Sequence, residues 1–254
     1  MKLPRTPSFR LDGRRALVTG ASRGIGLGCA MALAEQGAHV VMVARGAASL
    51  QSAAAAIVAE GLSAEEWALD VSDHPALEAF FDAQGAFDIL VNSAGIARHS
   101  QSLDTAVADF EAVMAVNVRA AYFLAQLAAR GMKQRGKGGS IIQISSQMAH
   151  VGGQDRAVYC GSKHAIEGIN KAMAIELGRV NIRINSICPT FIKTSLTEKT
   201  FNDKTKMAWI RSKIKLGRLG EVEDIMGAVQ FLASDASALV TGSSLLVDGG
   251  WTAG

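Results

Sequence analysis

Short runs of β-branched and apolar residues recur along the chain, separated by longer stretches whose apolar positions repeat every three or four residues. Runs of the first kind predict buried strands and those of the second predict amphipathic helices. The strands read as Arg15–Thr19, Ala38–Val43, Trp67–Leu69, Asp88–Asn92, Ser140–Ser145, Ile182–Ile187 and Ser244–Val247. Helical period runs over Leu27–Glu35, Ala76–Phe81, Phe110–Arg130 and Val158–Leu177, and the alanine-rich stretch Ala47–Ala59 reads as a solvated helix. Alternation of this kind predicts an α/β domain with a buried, mostly parallel sheet and helices on both faces. No linker, internal repeat or low-complexity segment marks a second domain within residues 1–254.

An open parallel sheet binds ligands beyond the carboxyl ends of its strands. The residues there are informative. Thr19-Gly20-Ala21-Ser22-Arg23-Gly24-Ile25-Gly26 follows the first strand and precedes a helix. Its glycines permit a tight turn and let backbone N–H groups approach a pyrophosphate at the helix N-terminus. The first gap is one residue wider than in the G-x-G-x-x-G fingerprint, and a purely structural strand–helix turn is the competing reading. The second strand ends at Val43-Ala44-Arg45 with no carboxylate. An acid there would bind an adenosine ribose, whereas an arginine accommodates a 2′-phosphate. With Arg23 in the glycine loop, NADP(H) is expected over NAD(H); the alternative is that Arg45 merely ends a strand in solvent.

Tyr159 and Lys163 are four residues apart in a helical segment, so phenol and ammonium share one face. A nearby cation favours phenolate, and the pair is expected to hold the tyrosine below its ordinary pKa of about 10. Ser146 lies thirteen residues upstream, beside a competing Ser145, which strand alternation would send to the opposite face.

Composition adds exclusions. The net charge of +3 is too small to argue for nucleic acid, and the basic segment carries few interleaved aromatics. Three dispersed cysteines, Cys29, Cys160 and Cys188, fit neither a disulfide framework nor a metal-ligand spacing, and a reducing cytoplasm is expected. The five histidines show no metal spacing either, and no membrane span or secretory leader is expected.

On Thr19–Gly26, Asp70-Val71, Asn92-Ser93-Ala94-Gly95, Asn117, Ser146, Tyr159-x-x-x-Lys163 and the region after Pro189, the chain resembles the short-chain dehydrogenase/reductase family from about Asp12 onward. The resemblance implies a single Rossmann-type, doubly wound domain of seven strands and a homotetramer. It implies that Tyr159 is the general acid/base, that Lys163 lowers its pKa and holds the nicotinamide ribose, and that Ser146, selected over Ser145 by the family spacing, polarises the substrate oxygen. Asn117 would support a proton relay through water, although a mid-helix asparagine can instead satisfy backbone. The cofactor set implied is Gly20, Ser22, Arg23, Gly24, Ile25, Gly26, Arg45, Asp70, Val71, Asn92, Ala94, Gly95, Tyr159, Lys163, Pro189, Ile192 and Thr194. Two departures from the family pattern stand out: Ser93 for a second asparagine, and Thr190 for the glycine after Pro189.

Residues 193–218 are expected to form a substrate lid. They hold eight basic residues, Lys199 among them, against Glu198 and Asp203, a balance of +6 that leaves about −3 for the rest of the chain. Focused positive charge attracts anions, so an anionic substrate is one reading and a solvated helix face the other. Gln147, His150, Gln154 and Arg156, between the serine and the tyrosine, are specificity candidates. The expected activity interconverts a secondary alcohol and a ketone, on a sugar acid or polyol by resemblance to gluconate 5-dehydrogenase-like members. The alternatives are a 3-oxoacyl-carrier-protein or CoA reductase and, in another class, a non-catalytic NADP(H) sensor.

Overall fold

The computed structural model describes residues 1, 3–195 and 197–254; the side chains of Glu198 and Lys199 lie outside the described set. Seven strands, β1 (Arg15–Thr19), β2 (His39–Ala44), β3 (Ala64–Ala68), β4 (Ile89–Asn92), β5 (Gly139–Ile144), β6 (Ile182–Pro189) and β7 (Ser244–Val247), form one sheet in the order β3-β2-β1-β4-β5-β6-β7. Every pairing is parallel. The strand order reverses between β1 and β4, and this is where an open sheet leaves a crevice at its carboxyl edge.

Period-two alternation assigns each strand residue to a face. Ala16, Val18, Val40, Met42, Ile89 and Val91 pack beneath α1 (Gly24–Glu35), α2 (Ala47–Ala59) and a later helix, Glu223–Ala233. Leu17, Val41, Leu90, Ile141 and Ile184 face the other layer, built from α3 (His74–Gln84), the helical run from α4 (Val107–Met114) to α5 (Ala121–Arg135), and α6 (Ala157–Leu177). Phe80 and Phe87, both almost fully buried, stack with centroids 6.1 Å apart in this second core. Helix α2 is half solvated only: Leu50, Ala53, Ala54 and Ile57 are buried, which at helical spacing forms one apolar stripe.

Residues 107–135 have an apolar window of mean hydropathy 1.4, enough by length and composition to cross a bilayer. Here the segment is a core helix: Leu124, Ala125, Ala128 and Met132 are buried against the sheet layer. The single helix expected over this stretch is interrupted. Over Ala115–Ala120 the backbone widens into a π-helical turn between α4 and α5, with Asn117 at its buried face. A third cluster, Met148, Phe191, Ile210, Ile214, Leu219 and Trp251, lies under α8 (Lys204–Lys213), which follows the short α7 (Glu198–Phe201); α9 is Glu223–Ala233.

Candidate active site

Helix α1 starts at the crevice with its first turn undersupplied. Its N-cap, Arg23, makes no side-chain capping bond, and no acidic residue occupies the first turn, so the N–H groups and the positive end of the dipole are available to an anion. The turn before it exists only because of glycine. Gly20 sits at φ +66°, and an added β-carbon would lie 3.0 Å from the Ser93–Ala94 backbone. A β-carbon on Gly26 would lie 2.6 Å from the Gly20 carbonyl carbon.

Beneath the turn runs a buried polar chain. Thr19 Oγ1 donates to Asn92 Oδ1 at 2.7 Å, and Asn92 Nδ2 donates to Gln143 Oε1 at 2.8 Å. Ala94 N donates back to Thr19 Oγ1 at 3.2 Å, which fixes the loop after β4 against Gly20. Asn92 therefore lies under the crevice as a tie between strands rather than in its wall.

The crevice opens into a cleft of about 520 Å³. It gathers Gly20, Ser22, Arg23, Gly24, Ile25, Gly26, Arg45, Asp70, Val71, Ala94, Gly95, Ser146, Tyr159, Lys163, Pro189, Ile192 and Thr194, residues drawn from seven separate stretches of sequence. Asn92 and Asn117 are the two expected site residues it leaves out. Gly46, Ser49, Ile96, Val116 and Thr197 also line it and carry no sequence signal of their own. At one end, Arg45 is 71 % exposed and 3.9 Å from Asp70. Burial opposes ionisation of Asp70, but the Ser72 N–H and hydroxyl, with help from Arg45, keep its carboxyl below the usual range.

At the other end stand Ser146, Tyr159 and Lys163. Ser146 caps the turn after β5, its Oγ accepting from Met148 N at 3.1 Å. Lys163 reaches back from α6 to donate to the Ile144 carbonyl at 2.9 Å, with Nζ 5.8 Å from the Tyr159 ring centroid. Burial pulls the ammonium down to about 8, against the opposing influence of Cys188 and Glu167. The same burial pushes the Tyr159 phenol up, and the downward pull on it comes from the Ser146 hydroxyl and the Arg156 charge. This differs from the expectation that Lys163 sets a low phenol pKa: burial is the largest influence on the phenol, and the cation that draws it down is Arg156.

Ser145 also departs from expectation. It lines the cleft with Ser146 because β5 ends at Ile144 and alternation no longer applies. Its Oγ and that of Thr190 are buried without partners, and both belong to the cleft wall. Such orphaned hydroxyls, together with the glycine cradle and the uncapped helix, suit a ligand with both polar and anionic groups.

Asn117 takes the backbone-satisfying reading. Its Oδ1 accepts from Ile96 N and its Nδ2 donates to Ile96 O, each at 2.9 Å, and Nδ2 also donates to Ser162 Oγ at 3.1 Å. It thus ties the loop after β4 to α6 from within the π turn. Among the described residues, one set of metal-capable side chains converges: His150, Glu167 and Cys188, with ligand atoms within 4.8 Å of one another. Glu167 is already engaged there by the Ser186 and Ser244 hydroxyls, and burial, with Glu167, pushes the Cys188 thiol up to about 12.

Comparison with known proteins places this arrangement. A family model described as enoyl-(acyl carrier protein) reductase matches residues 20–252. D-erythrulose reductase of Gallus gallus is 41 % identical over 245 residues, 96 % of this chain and 98 % of that protein. Gluconate 5-dehydrogenase of Gluconobacter oxydans is 41 % identical over 248 residues, 96 % of each. A crystal structure of a gluconate 5-dehydrogenase from Burkholderia cenocepacia, in complex with NADP and tartrate, superposes with a TM-score of 0.92 at 38 % identity, covering 97 % of this chain and 98 % of that one. Likeness on this scale, over nearly the whole length, makes the chain a member of the short-chain dehydrogenase/reductase family.

Proposed function

We propose that this protein is an NADP(H)-dependent oxidoreductase that interconverts a secondary alcohol and a ketone on a sugar, polyol or sugar acid. The observation that carries the reading is that one cleft holds a nucleotide cradle at one end and Ser146, Tyr159 and Lys163 at the other. The relatives named D-erythrulose reductase and gluconate 5-dehydrogenase support the substrate class. Arg45 and Arg23, with no carboxylate at the end of β2, favour the 2′-phosphate, as does the NADP in the Burkholderia relative.

The residues divide the work as follows. NADPH, when bound, supplies the hydride. The phenol of Tyr159 gives its proton to the substrate oxygen, and the Ser146 hydroxyl donates to the same oxygen as charge develops on it. Lys163, held by the Ile144 carbonyl, supports the phenolate left on Tyr159. Asn117 positions α6 and the loop after β4 relative to one another.

Residues 193–218 serve as the lid over the substrate, and Lys199, counted in its basic charge, lies outside the described side chains. Three of its bases are paired within the fold: Lys193 with Glu221, Lys206 with Asp203 at 3.8 Å and Arg218 with Asp224 at 2.6 Å. A homotetramer is supported by exposed Val107, Phe110, Tyr122 and Ile175 on the α4–α6 layer. Three buried free thiols suit a cytoplasmic location.

The test is a screen of purified protein with NADPH and NADH against ketoses, keto sugar acids and acetoacetyl thioesters, with Tyr159→Phe alongside. NADPH-dependent reduction of a keto sugar, lost in Tyr159→Phe, is expected. Turnover confined to thioesters would favour the acyl-carrier reading suggested by the family model's description. Tight NADPH binding without any turnover would favour a sensor.

A further inference from the structure

The segment between Ser146 and Tyr159 is shaped around one arginine. Arg156 is the N-cap of α6, three residues before Tyr159, so the two side chains start one helical turn apart. Its guanidinium is half-buried and lies over the Phe191 ring, 5.4 Å from the centroid. One nitrogen meets His99 Nε2 at 2.7 Å, and the His99 ring stands edge-on to Tyr159 with centroids 6.0 Å apart. His99 thus stands against Tyr159, which lines the cleft, and the Arg156 charge acts on the same phenol.

Two backbone features hold the arrangement. Asp155 adopts φ +59°, a conformation non-glycine residues rarely take, and its carbonyl accepts from Ser100 N at 3.2 Å, which ties the His99 loop to the Arg156 loop. A β-carbon on Gly153 would lie 2.9 Å from Arg156 Cδ, so the loop makes room for this side chain.

The electrostatics set Arg156 apart. Among the described residues no carboxylate lies within ion-pairing distance of it, the neighbouring Asp155 acting on it only at longer range, whereas Arg98, Lys193 and Arg218 each have a paired carboxylate. Its side-chain partner is His99, which desolvation and then the Arg156 charge hold down to about 4, so the imidazole is neutral and its Nε2 accepts from the guanidinium. A guanidinium has five N–H donors, and with one given to His99 a fork remains for a planar anion.

The geometry points to Arg156 as a carboxylate-reading subsite beside Tyr159, which makes the substrate a keto sugar acid rather than a neutral ketose. This deepens the proposed reaction and rests on it. The charge proposed to select the anion is this guanidinium next to Tyr159; of the lid bases with described side chains, Lys193, Lys206 and Arg218 pair with carboxylates and Lys204, Arg211, Lys213 and Lys215 are exposed.

The matched pair 5-ketogluconate and L-sorbose differs only in a carboxylate against a hydroxymethyl group. In wild type, kcat/KM is expected to favour the acid. In Arg156→Gln the ratio of the two kcat/KM values should fall by about 10- to 100-fold, the loss typical of a truncated charge-assisted hydrogen bond, with KM for NADPH unchanged. Arg156→Lys should recover part of the ratio, since it keeps charge without the fork. Using the ratio cancels any effect on Tyr159 itself. Equal losses on both substrates would overturn the subsite and make Arg156 a support for the loop. Calorimetry with D-gluconate and D-glucitol on the same proteins supplies a readout independent of turnover. Gluconate binding that weakens in Arg156→Gln while glucitol binding does not supports the subsite even if wild type reduces neither ketone, an outcome that would sink only the proposed reaction. Gluconate binding that is absent, or equal in both proteins, overturns it.

Discussion

Replacing Lys163 with methionine isolates the electrostatic cost of burying its ammonium. The side chain is 7 % exposed, and burial lowers its ammonium from 10.5 to about 8. Between those two values the unfolded chain holds a proton that the folded protein has released, so unfolding takes up protons and stability must rise with pH. Below pH 8 wild type bears the full cost of an ammonium in a dry pocket; above about 10.5 it bears none. Integrating the linkage for a folded value of about 8 gives a gain of about 2 kcal/mol for wild type relative to Lys163→Met between pH 7 and 9.5. The lost hydrogen bond to the Ile144 carbonyl also matters, but it does not titrate and drops out of the pH dependence. Urea denaturation of both proteins at pH 7, 8, 9 and 9.5, at one fixed protomer concentration, reads the difference directly. With a urea m-value of about 3 kcal/mol/M, the midpoint gap should shift by roughly 0.7 M across the range in favour of wild type. A gap that stays constant from pH 7 to 9.5 would refute the reasoning, because it would mean the ammonium titrates near its ordinary value despite its burial.

Tyr159→Phe keeps the ring and removes the proton donor. It should cut kcat by about 10²- to 10⁴-fold while NADPH affinity, read by fluorescence titration, stays within a few-fold of wild type. Gly26→Ala drives a methyl into the Gly20 carbonyl, backbone that cannot swing aside, so NADPH binding should weaken by at least about tenfold with the far-ultraviolet circular dichroism preserved. Arg45→Asp places a carboxylate at the end of β2 and should reverse the coenzyme preference toward NADH; an unchanged NADPH/NADH ratio would show that Arg45 does not contact the 2′-phosphate.

Legibility in the sequence followed the range of the interaction. Tyr159 and Lys163 were visible because their relation is local, four residues on one helix, and the glycine turn because its constraint is backbone geometry. Strand–helix alternation implies a parallel sheet covered on both faces but not the order of its strands. Strand β3 runs Ala64–Ala68, earlier than the apolar run at Trp67–Leu69 predicts, because it is a sheet edge whose Glu65 and Glu66 break the run that marks a central strand. Helix α9 lies outside the predicted helical segments, although Glu223 and Asp224 in its first turn are favourable to a helix start. The π turn at Asn117 was hidden because a helix interruption leaves the apolar period almost intact. The meeting of Arg156 with His99, fifty-seven residues apart, depends on two loops whose contact is fixed by a single carbonyl of Asp155, and no periodicity encodes that.

Burial acts on Tyr159 and Lys163 in opposite pKa directions for one reason: it favours the neutral form of each. At neutral pH the outcome is a protonated phenol beside an ammonium that is still mostly charged, the state from which a proton can be given to a ketone oxygen. In the proposed reaction, once the proton leaves, the Ser146 hydroxyl and the Arg156 charge favour the phenolate, with Lys163 Nζ 5.8 Å from the ring centroid. A pocket that merely lowered the resting pKa would stabilise phenolate before reaction and weaken the acid it needs. On the proposed mechanism, a phenol raised by desolvation remains a proton donor at neutral pH, and the groups around it act on the charge that appears as the proton leaves.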